Sequence, residues 1–140
     1  MKGIVLLSHG ELAKGMYETT KWFMGDDIPQ YTYLCLEPGE QPEQYDERIA
    51  KAVEEVDSGE GVILLADLLG GTPSNRASLA LARGNTDLIA GMNLSVVLQL
   101  LGNRLSDEYD MDALEETGKN GVVYVNKLLF AAEDYDDDDE

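Results

Sequence analysis

His9 is the only histidine in this chain of 140 residues. It ends the run Ile4-Val5-Leu6-Leu7-Ser8-His9-Gly10, in which four apolar residues lead into a small polar turn. A buried strand of that kind delivers an imidazole to the carboxyl edge of a parallel sheet, where open α/β folds bind their ligands. A second apolar run, Gly61-Val62-Ile63-Leu64-Leu65-Ala66, ends in Asp67-Leu68-Leu69-Gly70-Gly71-Thr72. If the two strands are neighbours, His9 and Asp67 sit side by side. A carboxylate that accepts a proton from one ring nitrogen fixes the tautomer and leaves the other lone pair free. The imidazole then becomes a positioned nucleophile or base whose cationic form is stabilised.

The loop after Asp67 suits the anion that such a nucleophile would carry. Gly70-Gly71 allows backbone N–H groups to turn toward phosphoryl oxygens, because glycine tolerates positive φ. The Thr72 hydroxyl adds a donor. Pro73 opens a helix whose N-terminus carries about half a positive charge. The candidate catalytic pair is therefore His9 and Asp67, and the candidate phosphate-binding residues are Gly70, Gly71 and Thr72. The chain has no Gly-x-x-x-x-Gly-Lys run, no Gly-x-Gly-x-x-Gly and no second histidine, which argues against a nucleotide-triphosphate enzyme, a dinucleotide site and a metal centre. No cofactor is expected.

Each feature also has a plainer reading. A lone histidine can be a satisfied polar residue, an Asp after a strand can be a helix cap, and Gly-Gly can mark a tight turn. Asn93, after Gly91-Met92, reads as the cap of the following helix. Arg76 reads as a solvated helix residue, although it lies within a turn of the loop and could meet a phosphate.

The elements that must position these residues alternate along the chain, which indicates a parallel sheet covered by helices. Strands are expected at Gly3–Leu7, Tyr31–Leu36, Gly61–Ala66 and Asp87–Ala90, the third apolar on both faces and so central. Helices are expected over Glu11–Met24, Gln44–Val56, Pro73 to about Arg83 and Leu94–Leu101. The clearest is Gln44–Val56, where Tyr45, Ile49, Ala52, Val53 and Val56 form one apolar stripe. Asp112–Thr117 reads as a short acidic helix capped by Gly118, and Val122–Val125 as a last short strand. The fold class is α/β, with a doubly wound, mostly parallel four-stranded sheet flanked by helices.

Length and composition fit one domain with a single core. Twenty-eight acidic residues against ten basic give a net charge of −18, and seven acids lie in the last eight residues. That charge repels nucleic acid and anionic membranes and favours a basic protein partner. The organisation expected is a domain over residues 1–130 and a disordered acidic tail over 131–140. The lone Cys35 reads as a small core residue. With no signal peptide and no membrane-spanning run, the expected compartment is cytoplasmic.

Taken together, Ser8-His9-Gly10, Asp67-x-x-Gly70-Gly71-Thr72-Pro73-x-Asn75 with Ser78 beyond, and Ile89-Ala90-Gly91-Met92-Asn93 resemble the enzyme IIA component of the mannose family of the bacterial phosphoenolpyruvate-dependent sugar phosphotransferase system. The resemblance covers most of residues 2–128. It implies that His9 accepts a phosphoryl group from the histidine-containing phosphocarrier protein and passes it to a IIB component, with an indirect link to the membrane IIC and IID components. It further implies that Asp67 orients His9, and that Thr72 and the Gly70-Gly71 amides hold the phosphoryl oxygens. A homodimer in which the C-terminal strand, here Val122–Val125, crosses to the partner's sheet is implied as well. The IIB component is expected to be a separate protein. Where the family often carries an aromatic residue in the loop, this chain has Leu68-Leu69, a change that should alter the partner-facing surface more than the chemistry. Two other readings stand beside it: the phosphotransfer subunit of dihydroxyacetone kinase, which is similar in its histidine after the first strand but less so in the Gly-Gly-Thr-Pro-x-Asn loop, and a regulatory module switched by phosphorylation of His9 without onward transfer.

Overall fold

In β1 (Gly3–His9) every residue up to Ser8 is buried and only His9 is exposed. A computed structural model describes the backbone of residues 1–138 and the side chains of residues 1–131. β1 pairs with β2 (Tyr31–Leu36) on one side and β3 (Val62–Ala66) on the other, and β3 pairs with β4 (Thr86–Ala90). The sheet order is β2-β1-β3-β4 and all pairs are parallel. The two apolar runs thus occupy the two central positions, as strands covered on both faces should.

The two-residue alternation of β1 divides the core. Ile4 and Leu6 join Ile63 and Leu65 beneath α1 (Leu12–Met24), α4 (Leu94–Leu105) and α5 (Met111–Asn120), which contribute Ala13, Val97, Leu100 and Leu114. Val5 and Leu7 join Leu64 and Ala66 on the other face. There they meet Tyr45, Ile49 and Val53 of α2 (Pro42–Val56) and Ala77 of α3 (Thr72–Leu79). Fully burying a side chain of this kind contributes about 1.5–3 kcal/mol, so both central strands are held firmly from two sides. Cys35 is buried among the first group.

Several boundaries differ from the sequence-based expectation. α2 starts at Pro42, because proline fits a first turn and the Gln41 N–H is satisfied by Gln44 Oε1 at 3.0 Å. The segment expected as one helix from Pro73 to Arg83 is α3 followed by a 3-10 turn, Ala80–Arg83. α4 continues past Leu101 to Leu105. α5 is longer than Asp112–Thr117: Asp110 Oδ1 caps it by accepting the Ala113 N–H at 3.1 Å, and it runs to Asn120 with Gly121 as its C-cap. Gly118 is inside it, where its carbonyl accepts the Asn93 side-chain amide at 2.8 Å.

The largest correction concerns Val122–Val125. Residues 122–124 have no regular structure, and α6 (Val125–Asp138) begins where the strand was expected to end. β-branched residues favour a strand only when a sheet edge is there to satisfy their backbone, and among the described residues no strand pairs with that segment. The exchanged C-terminal strand is therefore not seen. The expected disorder of the acidic tail, 131–140, falls on residues whose side chains lie, apart from Ala131, outside the described set. Among the described residues no helix is long and apolar enough to cross a membrane.

Candidate active site

Because β1 and β3 are adjacent and in register, with Leu7 opposite Ala66, their carboxyl ends deliver His9 and Asp67 to the same place. The Asp67 N–H continues the ladder to the Leu7 carbonyl at 3.0 Å. Asp67 Oδ2 accepts the His9 backbone N–H at 2.9 Å and lies 2.8 Å from His9 Nδ1. Its other oxygen, Oδ1, accepts the Leu68 N–H at 2.9 Å. The carboxylate side chain is 7% exposed and the imidazole 46% exposed, so the pair is anchored at the acid and open at the ring. An ionised carboxylate only accepts, so Nδ1 carries the proton and Nε2 presents its lone pair.

The turn between β1 and α1 is set by Ser8. Its buried hydroxyl accepts the Ala13 N–H at 2.7 Å, satisfying a donor in the first turn of α1, and donates to the Gly10 carbonyl at 3.3 Å. Gly10, at φ +53°, takes the left-handed bend, and its N–H reaches the Leu36 carbonyl at 3.1 Å. Sequence reading placed Ser8 in the motif without assigning it this task.

Gly70 and Gly71 are both required, for different reasons. Gly70 sits at φ +89°, where a side chain is strained. Gly71 has ordinary dihedrals, φ −86° and ψ 168°, but lies against the imidazole. A Cβ there would stand 2.5 Å from His9 Cε1 and 3.0 Å from Nε2. The loop thus brings its backbone directly under the free ring nitrogen. Among the described residues, no acceptor meets the N–H groups of Gly71, Thr72 or Ser74, all at the start of α3. The Gly70 N–H is different: it donates to Ser74 Oγ at 3.1 Å. Thr72 is half-buried at the same helix start, and Asn75 ties the loop by donating its amide to the Gly70 carbonyl at 3.2 Å.

Arg76 does not reach the phosphate loop, whereas Asn93 takes its expected place as a helix cap. Arg76 forks onto Asp46 of α2, with Nε 2.8 Å from Oδ1 and Nη2 on Oδ2, and these hydrogen bonds hold the Asp46 carboxyl below its ordinary range. Asn93 caps α4 by accepting the Val96 N–H at 3.0 Å, as the simpler reading held. Leu12, just after the His9 turn, and Leu68 and Leu69, in the loop after Asp67, are exposed. Beneath the sheet end Tyr45 donates to the Leu34 carbonyl at 3.0 Å, and burial pushes its phenol well up, with the Arg48 charge opposing and the Asp67 charge adding to the rise.

Comparison with known proteins fits this geometry. Residues 3–117 match the family described as PTS system fructose IIA component. The chain belongs to that family. The PTS system mannose-specific EIIAB component of Escherichia coli strain K12 is 30% identical over 124 residues, which are 85% of this chain and 38% of that protein. This chain therefore spans about two fifths of that relative's length. The sorbose-specific EIIA component of Lacticaseibacillus casei is 29% identical over 101 residues, 71% of this chain and 72% of that one. Among solved structures, the PTS IIA protein associated with the fucose utilization operon of Streptococcus pneumoniae superposes with a TM-score of 0.84 at 27% identity. The match covers 91% of this chain and 96% of that chain. The chain thus shares the α/β fold of that family's solved members.

Proposed function

We propose that the protein is a phosphoryl carrier in which His9 Nε2 accepts a phosphoryl group from the histidine-containing phosphocarrier protein and passes it to a IIB component during sugar uptake. The observation that carries this reading is the 2.8 Å contact of Asp67 Oδ2 with His9 Nδ1, which leaves Nε2 free beside Gly71. The step is an in-line displacement. The Nε2 lone pair forms the new N–P bond while the bond from phosphorus to the donor's histidine breaks. The proton on Nδ1 stays in place, so the ring becomes cationic and the Asp67 carboxylate stabilises that charge. The amides at the start of α3 and the Thr72 hydroxyl receive the phosphoryl oxygens, and the helix N-terminus favours their charge. Onward transfer reverses these movements toward the IIB acceptor.

The reaction asks the chain only for positioning and electrostatic stabilisation. Leu12, Leu68 and Leu69, exposed on the segments that follow His9 and Asp67, offer apolar contacts to the partner, and the net charge of −18 favours a basic one. The protein acts in the cytoplasm as a homodimer, and the apolar C-terminal segment Val122–Phe130, exposed in the single chain, is the element that meets the second copy.

Incubation with the general phosphotransferase proteins and phosphoenolpyruvate, followed by mass spectrometry, tests the reading. The expected result is one acid-labile phosphate on His9, absent from His9→Ala, that chases onto a IIB protein. Label persisting on His9→Ala would overturn the assignment. Label that stays on His9 in the presence of IIB, or moves instead to a dihydroxyacetone kinase, would overturn the destination.

A further inference from the structure

We propose that Ser74 is a positioning residue for this transfer: its hydroxyl clamps the Gly70-Gly71 backbone, so that the amides of Gly71 and Thr72, and not that of Gly70, serve as donors to the phosphoryl group. The proposal rests on His9 being the phosphoryl acceptor. Ser74 is 1% exposed, in the first turn of α3. Its Oγ accepts the Gly70 N–H at 3.1 Å and donates to the Gly71 carbonyl at 3.3 Å. One hydroxyl therefore bridges two successive residues of the loop that approaches the ring.

What this clamp sets is a very small clearance. A Cβ added to Gly71 would overlap His9 Cε1 at 2.5 Å, so the loop backbone passes close against the ring. If the loop retreated, the open donors at the start of α3 would leave the phosphoryl oxygens. Asn75 assists from the helix, its N–H on the Gly71 carbonyl at 2.9 Å and its side chain on the Gly70 carbonyl at 3.2 Å. Neither of those bonds reaches the Gly70 N–H. That donor is taken by Ser74 alone, which removes it from the set available to an anion. Without the hydroxyl, the positive-φ residue Gly70 is free to rotate its peptide, and the same N–H can compete for the phosphoryl group in a different geometry.

Single-turnover phosphorylation of the full chain by the phosphocarrier separates this role from simple support. Ser74→Ala should lower the maximal rate by about tenfold with KM for the phosphocarrier unchanged, because partner docking is untouched while donors are misplaced. Ser74→Thr, which keeps the hydroxyl, should recover most of that rate. Amide NMR gives a second readout. In the unsubstituted chain, phosphorylation should shift the Gly71 and Thr72 resonances and leave Gly70 nearly still, whereas in Ser74→Ala the Gly70 resonance should move as well. A folded Ser74→Ala with an unchanged rate, a loss confined to KM, or an unmoved Gly70 resonance would overturn the role of Ser74 alone. An unsubstituted chain that takes up no phosphate would overturn the reading of His9 and this one with it.

Discussion

One oxygen of Asp67 holds His9 twice. Oδ2 receives the backbone N–H at 2.9 Å and faces ring Nδ1 at 2.8 Å, while Oδ1 is fixed by the Leu68 N–H at 2.9 Å. Ring and main chain of the same residue are thereby locked to one carboxylate, itself locked to the next peptide. Asp67→Asn breaks this arrangement, because an amide has one accepting oxygen for three donors and loses the charge that balances a cationic ring. Transfer to His9 should fall by at least about an order of magnitude, with circular dichroism unchanged. A rate equal to that of the unsubstituted protein would reduce Asp67 to a turn residue.

The two loop glycines predict opposite signatures. Gly71→Ala places a methyl 2.5 Å from His9 Cε1, so the ring must leave its seat against Asp67. Its backbone dihedrals suit alanine, so stability should hold while transfer drops by more than about tenfold. Gly70→Ala has open space for its methyl but sits at φ +89°, so it should cost about 1–2 kcal/mol in urea unfolding. Parallel unfolding and transfer measurements on both variants check the contrast. Equal effects on both quantities would mean that Gly71 does not approach the ring as described.

Much of this site was legible in the sequence because two uninterrupted apolar strands, each ending in a polar residue, can only be central and parallel. Their adjacency followed from the common strand order, and with it the meeting of His9 and Asp67. Interactions between distant parts of the chain were not legible. Arg76 is drawn to Asp46 across the gap between α3 and α2, a pairing that no local pattern announces. The distinct needs of Gly70 and Gly71 were merged into one, since sequence shows that a side chain is missing but not whether dihedral or space forbids it. Val122–Val125 misled for a physical reason: β propensity describes fit to a sheet, and among the described residues no strand edge meets that segment.

At the other end of the sheet, Arg104 replaces a set of backbone bonds. It is 6% exposed and donates to the carbonyls of Lys2 at 3.1 Å, Gln30 at 3.1 Å and Pro29 at 2.6 Å, tying α4 to the entrances of β1 and β2. Burial lowers its pKa, with the Tyr109 and Tyr31 hydroxyls opposing the shift. Arg104→Met would fill the space but take the donor from the Lys2 and Pro29 carbonyls and leave the Gln30 carbonyl with the Ile4 N–H alone, at a cost of about 1–3 kcal/mol. Urea midpoints should fall at constant slope, while His9 phosphorylation in the folded fraction stays the same.

Acid sensitivity should trace in part to Asp57. The Gly59 N–H at 2.8 Å and the Gly61 N–H at 3.1 Å donate to its Oδ1, and with the Arg83 charge they hold the carboxyl below its ordinary range. A group whose pKa is depressed by folding stabilises fully above its unfolded value and loses that contribution as pH falls through the folded value. Stability should therefore decline as pH falls below the ordinary aspartate range of about 4, and Asp57→Asn should flatten that part of the curve. Thermal unfolding across this range makes the comparison, and parallel slopes in both proteins would remove Asp57 from the account.

The C-terminal segment carries the last prediction. Val125, Leu128 and Leu129 fall at helical spacing on one side of α6 and are 53%, 66% and 66% exposed, with Val122 and Tyr124 exposed just before them. Such a stripe has no stable place in water at the end of an acidic chain, and a second copy of the same segment offers matching apolar surface. The intact chain should sediment as a dimer. A paired change, Leu128→Asp with Leu129→Asp, should yield a monomer whose sheet and His9–Asp67 pair remain intact, because both positions lie outside the two core clusters. Sedimentation equilibrium of both proteins decides the matter. A monomeric unsubstituted chain, or a doubly substituted chain that still dimerises, would place the contact between copies elsewhere.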